Sequence, residues 1–104
     1  MGWDDLIHWP EPPPASPAAI VDFYLSQLHE QVPSVRKVWA EVRGHTLWIA
    51  ALIPPDREAE RRLHAIELAI ARRWPQVPIE FHIYREGEWL PPALEGGNLL
   101  VFAA

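Results

Sequence analysis

Apolar residues recur along two stretches of the chain at the spacing of an amphipathic helix. Ser16 followed by Pro17 predicts the start of the first helix, because serine caps helix N-termini and proline fits the first helical position. The apolar positions that follow run up to Pro33, which ends the helix; they are Ile20, Val21, Tyr24, Leu28 and Val32. A second helix is predicted over roughly 56 to 74, where one narrow stripe contains Ala59, Leu63, Ile66, Ile70 and Trp74.

Other stretches alternate between apolar and polar residues, which is the period of a half-buried strand. Residues 35–42 and 46–53 predict the two strands of a hairpin, joined by a turn at Gly44. A third strand begins at Ile79, where apolar residues alternate with Glu80, His82 and Tyr84, and Gly87 follows its end. The sequence therefore predicts the element order α-β-β-α-β.

This order is that of a ferredoxin-like α+β half-sandwich, with both helices on one face of a small mixed sheet. The connection from the second strand through the second helix to the third is a crossover, and a right-handed crossover makes those two strands parallel. We expect a proline-rich arm at 1–17 and a single domain at 18–104. Its tail is expected to be loosely structured from about residue 86, with 99–102 as a candidate for a last strand.

Composition limits the classes of function. The chain has 104 residues and no cysteine, which excludes disulfides, thiolate zinc sites and cysteine nucleophiles. The serines lie at a cap, in a helix and at a strand entry, and no glycine opens a predicted helix, so neither a nucleophilic serine nor a phosphate loop is indicated. We expect a protein that is not an enzyme and needs no cofactor. A degenerate nucleotidyltransferase is an alternative, although the paired magnesium-binding aspartates of that family are missing.

Charge and hydropathy indicate the compartment and the partners. The net charge of −5 disfavours nucleic acid, which basic proteins bind by displacing counterions from phosphates. No apolar run reaches the roughly 18 residues that span a bilayer, and the acidic start at Asp4 and Asp5 is unlike a signal peptide. We therefore expect a cytoplasmic protein without a membrane partner. Abundant arginine and proline together with the lack of cysteine are compatible with a heat-adapted source.

One pair of segments resembles a known family. The sequence Ile-Glu-Leu-Ala-Ile-Ala-Arg-Arg-Trp-Pro at 66–75 is followed by Ile-Glu-Phe-His-Ile at 79–83. A helix that contains a glutamate and ends in a basic residue and an aromatic-proline pair, followed by a strand with a histidine, resembles the cytoplasmic C-terminal domain of cation diffusion facilitator metal transporters. The resemblance covers roughly residues 18–85, and that domain is also α-β-β-α-β.

The resemblance implies zinc binding at His82, the strand histidine. The helix ligand of the family falls on Glu60, and its acidic ligand two residues beyond the strand histidine falls on Tyr84, which is a poor zinc ligand. A single histidine cannot hold the metal, so a site in this chain would combine His82 with Glu60 or His64, completed from a second subunit.

The sheet face opposite the helices is predicted to be rich in aromatic residues, namely Trp39, Trp48 and Tyr84, beside Glu41, Glu80 and His82. Exposed patches of this kind usually mark partner surfaces. Our leading hypothesis is a homodimer that forms through this face or through an outer strand, with an interface of Trp39, Trp48, His82 and Tyr84.

Two alternatives to this dimer remain open. In the first, the arm or the tail folds back over the aromatic face and covers it with Trp3, Trp9, Trp89 and Phe102. In the second, the face binds an unknown protein partner or ligand. Leu68 lies apart from these surfaces, on the polar side of the second helix, where an isolated exposed leucine has little meaning.

Overall fold

The computed structural model describes residues 16–104, so nearly all of the predicted arm at 1–17 lies outside the described residues. The described elements, in chain order, are helix α1 at Pro17–Gln31, strand β1 at Lys37–Arg43, strand β2 at Thr46–Ile53, helix α2 at Arg57–Arg73, strand β3 at Ile79–Arg85 and strand β4 at Leu100–Ala103. A 3-10 turn at Pro92–Leu94 lies between β3 and β4.

Both helices begin where a polar side chain caps them. The Ser16 side-chain oxygen accepts a hydrogen bond from the Ala19 N–H at 3.2 Å, and the Asp56 carboxylate accepts one from the Glu58 N–H at 3.0 Å. A cap of this kind contributes about 1 kcal/mol of stability. The predicted helix boundaries are confirmed to within a residue or two.

The sheet has the strand order β3-β2-β1-β4. Strand β1 is antiparallel to both β2 and β4, and β2 is parallel to β3, as the predicted crossover through α2 requires. The next connection, residues 86–99, has to cross the sheet from one edge to the other, because β3 and β4 are its two outer strands.

The two helices pack on one face of the sheet, which confirms the α+β half-sandwich and adds a fourth strand to it. Residues of α1, α2 and the inward side of the sheet form the main core, including Ile20, Tyr24, Leu28, Ile49, Leu63 and Ile70. This arrangement is compatible with a ferredoxin-like fold. Within residues 16–104, neither helix is long and apolar enough to cross a membrane.

Candidate interaction surfaces

The helix-free face of the sheet contains Trp39 and Trp48, as the alternation predicts, but it does not expose them. Trp39 is 1% exposed and Trp48 is 4% exposed. The segment 86–99 crosses this face, and its leucines pack in one apolar cluster with the two indoles; they are Leu90, Leu94 and Leu99. The prediction that Trp39 and Trp48 form an exposed patch is therefore wrong, because the connection between the two edge strands brings its own apolar residues over them.

The alternative in which the tail covers this face is correct in outline, but different residues do the covering. Trp89 is 74% exposed, so it makes no such cover. Phe102 packs against the core on the helix side of the sheet. Trp3 and Trp9 lie outside the described residues.

A buried hydrogen bond fixes the covering segment on the sheet. The indole Nε1–H of Trp39 donates to the backbone carbonyl of Leu94 at 3.1 Å. Leu94 is 4% exposed and ends the 3-10 turn, whose backbone bond runs from the Leu94 N–H to the Pro91 carbonyl. Since an unpaired polar group in the interior is costly, this bond favours one position of the segment over others.

Trp48 lies on the same face, closer to β3. The Arg43 guanidinium carbon is 4.3 Å from the centroid of the Trp48 ring system, which is cation–π geometry. The centroid of the His82 ring is 5.3 Å from that of the Trp48 ring. Trp48 therefore contributes a buried surface against which β3 packs.

His82 and Tyr84 are the predicted interface residues that remain partly accessible. Both belong to β3, and both are half-buried. Their rings are nearly parallel, with centroids 6.3 Å apart, and the Nε2 atom of His82 lies 2.5 Å from Oε2 of Glu80. The accessible part of the predicted interface thus lies at the edge of the sheet and not at its centre.

The outer side of β3 displays backbone hydrogen-bonding groups. At the two ends of its ladder with β2, the Leu47 N–H donates to the Pro78 carbonyl and the Glu86 N–H donates to the Ile53 carbonyl, both at 2.9 Å. Because successive residues of a strand point their backbone groups to opposite sides, the even-numbered residues of β3 bond to β2. Within residues 16–104 no strand pairs with the other side of β3, and the residues that direct N–H and C=O to that side are Ile79, Phe81, Ile83 and Arg85.

Strand β3 has few of the features that commonly protect an edge. It has seven residues, without proline or lysine, and its register with β2 is continuous from Ile79 to Arg85. Its side chains from Phe81 to Arg85 are half-buried, so both faces of the strand are partly covered. By contrast, β4 has only four residues, and its register with β1 shifts between Val38 and Trp39. Of the two edges, β3 is the one suited to strand pairing.

The residues proposed as zinc ligands do not meet in one site. Hydrogen bonds from Arg85 hold the Glu60 carboxylate and lower its pKa. The Nε2 atom of His64 is 3.9 Å from Oε1 of Glu60, and its Nδ1 atom is 3.2 Å from Oε1 of Glu67. His82 instead contacts a glutamate of its own strand. Among residues 16–104, no group of three or more histidine or acidic side chains is arranged to hold a metal ion.

A buried polar pair on the helix side was not indicated by the sequence pattern. The Oε2 atom of Glu67 and the hydroxyl of Tyr24 are both buried and have no hydrogen-bond partner among residues 16–104. Burial raises the pKa of the Glu67 carboxyl, and burial together with the nearby Glu67 charge raises the pKa of Tyr24. Glu67 directly follows Ile66 of the apolar stripe, and this position at its margin was the only signal in the sequence.

Comparison with protein-family models, with curated proteins and with solved structures finds no match. The interpretation of these surfaces therefore depends on their geometry.

Proposed function

We propose that this domain is a non-enzymatic association module that forms a homodimer through β3. The observation that supports this proposal is the open, continuous edge of β3, with half-buried side chains on both of its faces. Antiparallel pairing of two β3 strands would give partners to the outward N–H and C=O groups of both copies. It would also join two four-stranded sheets into one continuous sheet.

The sequence of β3 is compatible with pairing to itself around a twofold axis at Phe81. In this register, each Phe81 faces its counterpart and Ile79 faces Ile83 of the second copy. Glu80 then faces His82 of the second copy, so that a carboxylate lies opposite an imidazole. Apolar and opposite-charge pairs across neighbouring strands each contribute about 0.2–1 kcal/mol.

This proposal changes the expected interface. Trp39 and Trp48 are buried beneath residues 86–99 and do not take part directly. His82 and Tyr84 remain in the interface, and Phe81 and Ile83 join them because they lie on the same strand. Trp48 supports the interface from behind through its contact with His82.

The oligomeric state of variants with an altered edge tests the proposal. We expect the wild-type chain to sediment as a dimer, with dissociation on dilution. Glu80→Lys should give a monomer, because in this register it removes the carboxylate that faces His82 of the second copy and places a lysine on the edge strand, where lysine opposes pairing. Glu30→Lys is the matched control, since it makes the same change at an exposed residue of α1 and should leave the dimer intact.

A second variant distinguishes loss of the dimer from loss of the monomer fold. The N–H of Ile79 points away from β2, so Ile79→Pro removes a group available to the dimer without removing a bond of the β2–β3 ladder. It should weaken the dimer while circular dichroism and the unfolding transition show a folded monomer. A wild-type chain that is monomeric at every accessible concentration would refute the proposal, as would a dimer that both variants leave unchanged.

A further inference from the structure

We propose that the apolar groove between α1 and the β1–β4 edge binds residues Leu6–Trp9 of the same chain. This groove, called the α1 groove below, is lined on one side by the helix and on the other by the two strands. Its apolar lining residues include Ala18, Val21, Leu25, Ala40, Val42 and Val101. The α1 groove lies at the edge of the sheet opposite to β3, so this proposal does not depend on the dimer.

The α1 groove brings together apolar side chains that the described residues leave in water. Val42 is 54% exposed and Val101 is 42% exposed, and both line it. Both are strand residues that face the helix layer, where burial is the usual outcome. Exposed apolar groups that lie together gain free energy when a further apolar segment covers them, at about 25 cal/mol for each Å² removed from water.

At the C-terminal end of α1 the groove adjoins a smaller and more enclosed cavity. This cavity has a volume of about 240 Å³, and Leu25 lines both it and the groove. Its other walls are Leu28, His29, Pro33, Val35 and Phe102. An apolar channel that ends in a cavity of this kind is suited to a short apolar segment that contains one large aromatic side chain.

Connectivity favours the N-terminal segment as the occupant. Pro17 and Ala18 line the α1 groove, so the described part of the chain begins at one end of the groove. That chain contains Leu6, Ile7 and Trp9. A tethered segment also has a high effective concentration, of the order of millimolar, which a second copy of the protein lacks at ordinary concentrations.

The length of the connecting segment fits the groove. From Pro17 to Leu28, α1 rises about 17 Å at 1.5 Å per residue. An extended proline-rich segment covers about 3.1 Å per residue, so about six residues span that distance. The six residues Pro10–Ala15 separate Trp9 from Ser16. They suffice to bring the Trp9 indole to the cavity at the far end of the α1 groove.

Spin labelling of the full chain tests this placement, and the lack of native cysteine makes single labels possible. A nitroxide on Asp22→Cys, at the rim of the α1 groove, should strongly broaden the NMR signal of the Trp9 indole N–H, assigned by its loss in Trp9→Phe. A nitroxide on Glu80→Cys, at an exposed residue of β3 on the helix-free face and at the opposite edge of the sheet, is the control and should leave that signal sharp. Equal signal intensities with the two labels would overturn the proposal.

Two further measurements separate the remaining explanations. When isotope-labelled chains are mixed with spin-labelled chains, broadening between molecules would show that a second copy supplies the segment, which also overturns the proposal. Val42→Glu places a carboxylate in the α1 groove and should move the Trp9 indole signal to its position in a free peptide of residues 1–15. Leu68→Glu, at a residue that is 51% exposed on α2, is the matched control and should leave that signal in place.

Discussion

The hydrogen bond between Trp39 and Leu94 should be the main polar contact that holds the covering segment, residues 86–99, on the sheet. Trp39→Phe removes this bond while keeping an aromatic ring. The lost bond and the buried Leu94 carbonyl left without a donor together cost about 1–3 kcal/mol. The smaller ring leaves a cavity that adds about 1 kcal/mol. We therefore expect the free energy of unfolding to fall by about 2–4 kcal/mol, and the Tm by roughly 10–30 °C for a domain of this size.

Trp74→Phe is a matched control for this variant. Trp74 is 2% exposed and packs on the helix side, but its Nε1–H finds no acceptor within residues 16–104. The same substitution at Trp74 leaves a similar cavity and removes an unpaired buried donor, which offsets part of the cost. Urea unfolding of both variants should show that Trp39→Phe loses at least about 1 kcal/mol more than Trp74→Phe.

Hydrogen exchange locates the effect. The amides of Leu94 and Glu95 bond to the carbonyls of Pro91 and Pro92 in the 3-10 turn, and they should exchange faster in Trp39→Phe because the turn can detach locally. In Trp74→Phe, the exchange rates of these two amides should change only as much as the loss of global stability requires. If the two variants lose equal stability and the turn exchanges equally in both, the hydrogen bond does not hold the covering segment and this reasoning fails.

Two further predictions concern charge and metal. Burial raises the pKa of Glu67 in the folded state, so the wild-type domain should lose stability as pH rises from the unfolded-state pKa through the folded one. Glu67→Gln should abolish this loss in urea unfolding measured across that pH range, whereas Glu30→Gln, at an exposed residue of α1, should keep it. Zinc and chelators should leave the Tm and the oligomeric state unchanged; a zinc-dependent rise in Tm that His82→Ala abolishes would instead support the resemblance to cation diffusion facilitator domains.

Local sequence signals predicted most of the fold. The caps at Ser16 and Asp56 and the prolines that follow each helix act within one or two turns, so their effect is visible in a short window of sequence. The alternation in β1 and β3 placed each side chain on the correct face, because strand geometry leaves no other choice once the pairing is set. The parallel pairing of β2 and β3 followed from the crossover through α2.

The cover over Trp39 and Trp48 could not be predicted in the same way, because it depends on a contact between distant parts of the chain. The leucines that provide it follow no helical or strand period, and prolines interrupt them. One signal in β2 was informative: Leu47–Ile53 is continuously apolar, and all of it is buried. A continuous apolar run is typical of a strand covered on both faces, whereas a strand with one open face alternates.

The cover has a consequence for how specific an association through β3 can be. Tyr84 packs against the same cluster as Leu90 and Leu94, and His82 stacks between Tyr84 and Trp48. With residues 86–99 in place, a partner strand meets a narrow edge whose side chains are held from behind. Without them, the partner would meet a broad apolar face that offers many poorly defined contacts. The segment that crosses the sheet therefore completes the core, and in the proposed dimer it would confine association to the register of a single strand.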